Sequence, residues 1–528
     1  MHAVRMSDAW IYKERIRSWA LFVVVLVSTA YTFPRWADPN QNSRLDMVVA
    51  MVDDHTFQID AYVANTVDYA QVGSHYYSDK APGSAVLGAA LYAAVKPLFD
   101  QPWIQRVEAR LGASEAFRST LRPGGTGIVQ AKVRFALIQV LMSFLLASVP
   151  SALLAAGMYR WLENVTPAVV PRLLTTVAYG LLSPAFAYAG AFYGHQLSAA
   201  LLFAAFLLAF GGRDKMAAIR LVGIGALLAV SVATEYPSAL VAWIIGLYTV
   251  SILLRQRHLA GLGWLVVAGA PILIAWLGYN AIVFGSPLSL GYSYSTLWQG
   301  QHQSGFMSLS LPRWDSLWGV TFGSFRGLFF LSPVMLFAAA GFVPWWRSKN
   351  LRAVLWVALF SAVLMFAFNA ASVMWWGGFA VGPRYLLPGL PFLALGLAFA
   401  LRAWGRGRGF RLILGLTCAW SLVATWGLTL AGQAFPSDAI RQPLIEYAAP
   451  NWLAGNVARN LGTLVGLRGA PSLLPLGALL AICCLVGWLA TRGQRLPMPV
   501  VSAGPASEDQ TANTMTGKDR LRLGRGAR

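Results

Sequence analysis

Charge is scarce in this sequence: 12% of its 528 residues are Asp, Glu, Lys or Arg, about half the share of a soluble globule. With 57% hydrophobic residues and a mean hydropathy of +0.56, so much apolar surface cannot be hidden in one core. That excludes a secreted, cytosolic or nuclear globule. Cysteine is nearly absent. The three present, Cys418, Cys483 and Cys484, sit in apolar runs with no C-x-x-C spacing and no histidine-rich partner, so neither a disulfide framework nor a zinc site is supported. Also missing are G-x-x-x-x-G-K-[ST], a GxGxxG after a strand, HExxH and G-x-S-x-G. ATP-driven pumping, dinucleotide chemistry and the commonest protease patterns therefore lack their signatures.

What is present is a series of apolar runs, about twelve, each long enough to cross roughly 30 Å of hydrocarbon at about 1.5 Å per residue. They fall near 18–33, 133–157, 173–191, 196–211, 218–234, 238–254, 261–283, 328–346, 353–371, 385–401, 412–432 and 472–490. The fold class expected is all-α: a polytopic membrane protein with a juxtamembrane helix at 84–99. That segment is short, alanine-rich and carries Lys96-Pro97 near its end, so it is read as lying along the interface.

Acids are outnumbered, 21 Asp+Glu against 41 Lys+Arg, for a formal charge of +20. If segment 84–99 does not cross and the N-terminus is cytoplasmic, the basic loops at Arg213/Lys215, Arg255/Arg257, Arg347/Lys349 and Arg402/Arg406/Arg408 all face inward. About 25 of the 41 cations and about 7 of the 21 acids then lie on that side. The net charge reads as an orientation signal and calls for no nucleic acid. The chain divides into a cytoplasmic N-terminus (1–17), a transmembrane domain (18–432) with long outward loops at 34–132 and 284–327, an outward loop with the last helix (433–490), and a basic tail (491–528) expected to be disordered in the cytoplasm. Phe33-Pro34-Arg35-Trp36 is no small-residue cleavage site, so the first run is read as an uncleaved helix.

Ionisable groups concentrate in the first outward loop, where Arg44, Asp46, Asp53, Asp54, His55, Asp60, Asp68, His75, Asp79 and Lys80 lie within 37 positions. A solvated loop is normally charged, but here Tyr76, Tyr77, Asp79 and Lys80 stand directly before an apolar run. A lysine at headgroup level can hold a lipid phosphate, and its neighbouring acid can orient it, pair with it or hold a divalent cation. Other ends of apolar runs add His195, Glu235, Arg326, Trp376 and Arg384 to the same outward plane. Ionised groups beside hydrocarbon are costly unless paired or facing water, so Glu235 and Arg384 imply a polar cavity there. Trp375 and Trp376 also suit an interfacial aromatic belt.

These pieces together make the chain resemble the class C glycosyltransferases of bacterial membranes, the superfamily of protein mannosyltransferases and lipid A aminoarabinose transferases. They are the acidic first loop with Arg44, the Asp79-Lys80-Ala81-Pro82-Gly83 element, the Tyr193-Gly194-His195 turn and Gly382-Pro383-Arg384-Tyr385. The resemblance spans roughly residues 15–400. It implies a sugar moved from a polyprenyl-phosphate donor to a glycan, lipid or protein acceptor on the outer face of the cytoplasmic (inner) membrane. Lys80 occupies the place of the lysine linked to the lipid carrier. Similar enzymes place an aspartate shortly before the arginine, whereas Asn40-Gln41-Asn42-Ser43 precedes Arg44 here. The resemblance therefore leaves the base to Asp60, Asp68 or Asp79, and leaves Arg44, Lys80, Tyr76, Tyr77, His195, Glu235, Arg326, Trp376 and Arg384 to bind substrate. A flippase of a lipid-linked saccharide is the alternative, in which the same cations grip a phosphate without chemistry. A divalent cation is the one cofactor left open.

Overall fold

The computed structural model describes residues 8–36, 38–114, 132–302, 304–305 and 308–491. The tail expected to be disordered lies outside the described residues from 492 onward, as does 115–131 of the first outward segment. Helix dominates the rest, with one small hairpin. Among the described residues seven helices are long and apolar enough to cross a membrane, and five shorter apolar helices lie among them, so the protein is multi-pass.

In chain order the helices are α1 (Asp8–Ala30), α2 (Pro39–Asp53), α3 (Gly83–Phe99), α4 (Pro102–Ala113), α5 (Lys132–Ser143), α6 (Val149–Trp161), α7 (Val169–Leu181), α8 (Ala185–Ala189), α9 (Gly194–Gly211), α10 (Ala218–Thr234), α11 (Ser238–Arg255) and α12 (Gly261–Phe284). Short α13 (Gln299–His302) and α14 (Trp314–Thr321) precede α15 (Leu328–Leu331), α16 (Val334–Ala340), α17 (Phe342–Trp346), α18 (Arg352–Ala371), α19 (Leu390–Trp404) and α20 (Arg408–Leu430), followed by α21 (Ala449–Leu453), α22 (Leu461–Leu464) and α23 (Leu474–Thr491). α9 and α19 run through the largest core cluster with most of their residues buried. α12 and α23 are apolar all round and lie outside it, with Trp264, Ile274, Ile282, Leu485 and Trp488 exposed, as lipid-facing helices are.

Three expected spans are interrupted. The run 173–191 breaks after Leu181, because Ser183-Pro184 ends α7, and Ser183 Oγ accepts from Ala185 N where the short α8 begins. The run 328–346 is three pieces, divided at Ser332-Pro333 and at Gly341. The run 385–401 becomes helical only from Leu390, after a 3₁₀ turn at Arg384–Leu386. Between α5 and α6 the helix widens into a π turn, Phe144–Ser148, where Pro150 has no N–H to give to the turn before it.

The largest departure from expectation is α2, because the first outward segment is not all loop. Asp38 accepts from the amides of Asn40 and Gln41, and Pro39 opens the helix with its φ already set. Residues 39–50 are buried, the first of them polar and Leu45 with Met47–Ala50 in the core, so the polar side chains must find partners in the protein. Gln41 accepts from Phe192 N at 2.9 Å. Asn42 donates to Trp36 O and Asn65 O and accepts from Gln139 Nε2. Ser43 pairs with Ser78, and Asp46 accepts from Asn65 Nδ2. α2 is thus the scaffold on which the outward segment is hung. The hairpin β1 (Ala70–Val72) and β2 (His75–Tyr77) pairs Ala70 with Tyr77 and closes through Gly73 at φ +61°. It is joined to the segment after α12 by an Ala70–Ser295 bridge and by Thr296 N donating to Tyr69 O.

Candidate active site

Two buried charge clusters meet around one small polar cavity at the end of the helices. In the first, Lys80 follows β2 and is 5% exposed, its Nζ 2.7 Å from Asp68 Oδ2 and 2.9 Å from Asp79 Oδ1. Asp68 is carried by a turn that α2 holds in place: Thr66 Oγ1 donates to Pro39 O and accepts from Asp68 N, and Asn65 is gripped by Asn42 and Asp46. Burial and the neighbouring Asp79 raise the Asp68 carboxyl above its ordinary value, opposed by Lys80. Burial alone would lower the Lys80 ammonium, but the two aspartates outweigh it and hold it charged. The second Asp68 oxygen, Oδ1, is buried without a hydrogen-bond partner.

In the second cluster, Arg44 of α2 donates to Glu235 at 2.8 Å, to Ser84 Oγ at 3.2 Å and to Asn40. Glu235 caps the end of α10, and its other oxygen is 3.3 Å from His195 Nδ1 at the start of α9. Burial would raise Glu235, yet His195, Arg44 and Arg384 together hold it at about 2. It is therefore an anion at any physiological pH. Arg384, 8% exposed, reaches the same cavity from the turn before α19, its guanidinium over the rings of Tyr193 and Tyr385. Unlike Lys80 and Arg44, it has no carboxylate within ion-pair distance among the described residues. The cavity measures about 20 Å³, room for about one water molecule. Its lining mixes these groups with Asn40, Tyr292, Trp298, His302, Met374 and Tyr385.

Of the expected site residues, Arg44, Asp68, Lys80, His195, Glu235 and Arg384 line this cavity, and Asp79 pairs with Lys80 from behind. The others are placed elsewhere. Asp60 is on the surface, 2.7 Å from His75 Nδ1 and accepting from Tyr76 N. Tyr76 packs on Tyr69 and Tyr77 on Phe284, so both serve the hairpin. Arg326 is fully buried and spends its donors on the carbonyls of Phe325, Trp376, Gly378, Pro436 and Ser437. It fastens two loops together and does not line the cavity. Trp376 meets Arg326 through its carbonyl and Trp375 through its ring.

The acid missing before Arg44 is not replaced by Asp38, whose carboxylate is committed to the α2 cap and to the Tyr193 hydroxyl at 2.7 Å. Asn40 takes the cavity position instead. Reading from sequence missed Asn40, Tyr292, Trp298, His302 and Met374. The one pointer to Tyr292, Trp298 and His302 was the length of the 284–327 segment. Among the described residues no group of three His, Cys, Asp or Glu side chains is placed to hold a metal. Lys80 fills the position between Asp68 and Asp79 that a divalent cation would need, so these residues do not fit one.

No family model matches the chain, and no curated protein matches it. Solved structures similar to it include two of one protein. ArnT from Cupriavidus metallidurans bound to undecaprenyl phosphate overlaps 92% of this chain and 77% of its own, at 15% identity and a TM-score of 0.40. ArnT from the same organism in the apo state overlaps the same shares at 17% identity and a TM-score of 0.42. At such identity and overlap the chemistry has to be read from the site's own atoms.

Proposed function

We propose that the protein is a membrane glycosyltransferase that moves a sugar from a polyprenyl-phosphate donor to an envelope acceptor on the outer face of the cytoplasmic membrane. The observation that carries this reading is the buried pair of unequal partners in one cavity: a carboxylate oxygen on Asp68 with no partner, and a guanidinium on Arg384 with no carboxylate. The first can accept a proton and the second can accept an anion.

In the proposed reaction an acceptor hydroxyl attacks the anomeric carbon of the donor while Asp68 Oδ1 takes its proton. The bond from the anomeric carbon to the phosphate oxygen breaks, and the lipid phosphate leaves with the electron pair. General-base help of this kind is worth about 10²–10⁴ in rate, and a carboxyl raised by burial is a better base than an ordinary one. Arg384 and Lys80 stabilise the phosphate as its charge develops. Asp79 keeps Lys80 charged and aimed, and Glu235 aims Arg44. The ionisable groups gather at helix ends around one cavity and not along a path through the helices, which favours chemistry at one face over the flippase reading.

The test joins two measurements on the full-length protein. Native mass spectrometry of gently purified wild type is expected to show a bound polyprenyl-phosphate species that is lost in Lys80→Ala and kept in Asp68→Asn. Transfer of labelled sugar to native envelope acceptors is expected to fall at least 100-fold in both variants. Full transfer by Asp68→Asn would overturn the assignment of the base, and only bulk phospholipid in wild type would overturn the donor class.

A further inference from the structure

The cavity beside Lys80 is lined by one aromatic ring that the protein itself leaves unused. Its other rings are committed: Tyr292 stacks on His302 at 5.0 Å, His302 Nδ1 is 2.9 Å from Ser308 Oγ, and Tyr385 meets His195 edge-on at 5.8 Å. Trp298 lines the same cavity, yet among the described residues its ring packs on no other ring and its indole N–H has no acceptor. It is half-buried between exposed Thr296 and Gln299, where the cavity meets the surface.

The backbone under this ring is pinned. Ser295 bridges Ala70, and Thr296 N donates to Tyr69 O at 3.1 Å, so Trp298 stands on a segment fastened to the residue after Asp68. Trp298 O accepts from Gln301 N and His302 N at the start of α13. On its other side lies Gly378, where a Cβ would come 3.4 Å from Trp298 Cζ2. Gly378 has φ +63° and follows Gly377 at φ +72°, a backbone that favours glycine. Its carbonyl accepts from the buried Arg326 at 3.1 Å. Arg326, which does not reach the cavity, thus fixes the loop against which Trp298 is set.

The rest of the lining suits charge. Lys80, Arg44 and Arg384 can hold a phosphate and Asp68 can take a proton, but none of them offers a surface to the C–H face of a sugar. That face carries a slight positive charge and fits the negative face of an indole. The indole N–H, a donor only, fits a sugar oxygen.

We infer that Trp298 is the platform on which the transferred sugar rests, so that the site grips the glycosylated donor more tightly than the bare lipid phosphate left after transfer. This rests on the glycosyltransferase reading and adds to it a means of releasing the spent carrier: once the sugar has moved, the stacking contact is gone.

The probe is the polyprenyl phosphate pool of the native membranes, bare and glycosylated, offered to the detergent-purified full chain and read by native mass spectrometry. Wild type is expected to retain the glycosylated over the bare lipid by about tenfold, the scale of one good aromatic contact. Trp298→Ala should hold the bare lipid as wild type does and lose the preference. Trp298→Phe, which keeps a ring face and lacks the N–H, should fall between them. In transfer assays Trp298→Ala should raise the KM for the donor about tenfold and leave kcat within about threefold, because a contact made equally in the ground and transition states is lost as binding alone. A preference kept by Trp298→Ala, loss of both lipids together in Trp298→Ala and Trp298→Phe, or equal retention of the two lipids by wild type would each overturn the inference and leave the donor class standing. Wild type that retains no polyprenyl phosphate of either kind would overturn the donor class itself, and the platform with it.

Discussion

Glu235 decides how the cations at this site are shared. Its carboxylate is 2% exposed and lies between Arg44 and His195, and removing one member of a buried ion pair leaves the other uncompensated at about 3–5 kcal/mol. Glu235→Gln is therefore expected to melt well below wild type at pH 7. The sign with pH follows from the direction of the shift. Glu235 titrates at about 2 in the fold against an ordinary 4.5, so its contribution is complete above about 4.5 and is lost as pH falls toward 2. That contribution is on the order of 3 kcal/mol. Thermal unfolding in detergent should show the gap between wild type and Glu235→Gln shrinking from pH 7 to pH 3, and a constant gap would remove this account. The same residue shows what sequence could reveal. An acid between two apolar runs has to be paired or wet, and so Glu235, His195, Lys80 and Arg384 were legible as a site. Asp60 and Asp68 were not separable, because each stands between apolar neighbours, Ile59 and Ala61 or Val67 and Tyr69, and only the burial of the 63–68 turn against α2 distinguishes them. Tyr292 and His302, stacked at 5.0 Å, carry no charge that sequence could weigh.

Hydropathy locates the apolar elements but not their interruptions. The run 328–346 reads as one span, yet α16 and α17 meet at Gly341, where a Cβ would fall on the carbonyl oxygen of Gly396 in α19. A Cβ on Gly396 would in turn fall on Ala338 O. Two helices with backbones this close need small residues at both faces, and the breaks at Pro333 and Gly341 let α15 to α17 turn into that contact. A broken helix is tolerated at membrane depth only where protein covers it, and α19 provides the cover. Gly396→Val is expected to abolish the yield of folded, monodisperse protein. Gly415→Ala, whose added methyl meets only open space, should leave the melting temperature within a degree or two. Equal behaviour of the two variants would show that the α16–α19 approach does not matter. α2 went unread for the opposite reason. It is polar from Asn40 to Arg44 and apolar only from Leu45 to Val52 with Asp46 among them, too short a run to mark a span, although Asp38-Pro39 was a start signal.

At the scale of the molecule, contacts sort the loops into two ends independently of their charge. One end gathers the hairpin with Thr296, Arg326 with Pro436, Phe33 with Arg459, and the site itself. The other gathers Arg172 between Glu14 and Glu163, Gln256 on the carbonyls of Gly212 and Arg213, and Arg402 on Val165 O. This division matches the one that positive charge gives, with the basic loops at the second end. Residues linked by direct hydrogen bonds must lie on one side of the bilayer, so the sidedness of a single loop fixes that of the whole end. With Cys418, Cys483 and Cys484 replaced by alanine, Ser74→Cys on the exposed hairpin is expected to react with an impermeant maleimide in intact cells whose outer barrier is permeabilised. Lys349→Cys, in a basic loop between α17 and α18, should react only after the membrane that holds the protein is broken. The reverse pattern would place the cavity in the cytoplasm. There no lipid-linked donor is needed, because soluble nucleotide sugars are at hand, and the reason for a phosphate site at headgroup level would be gone.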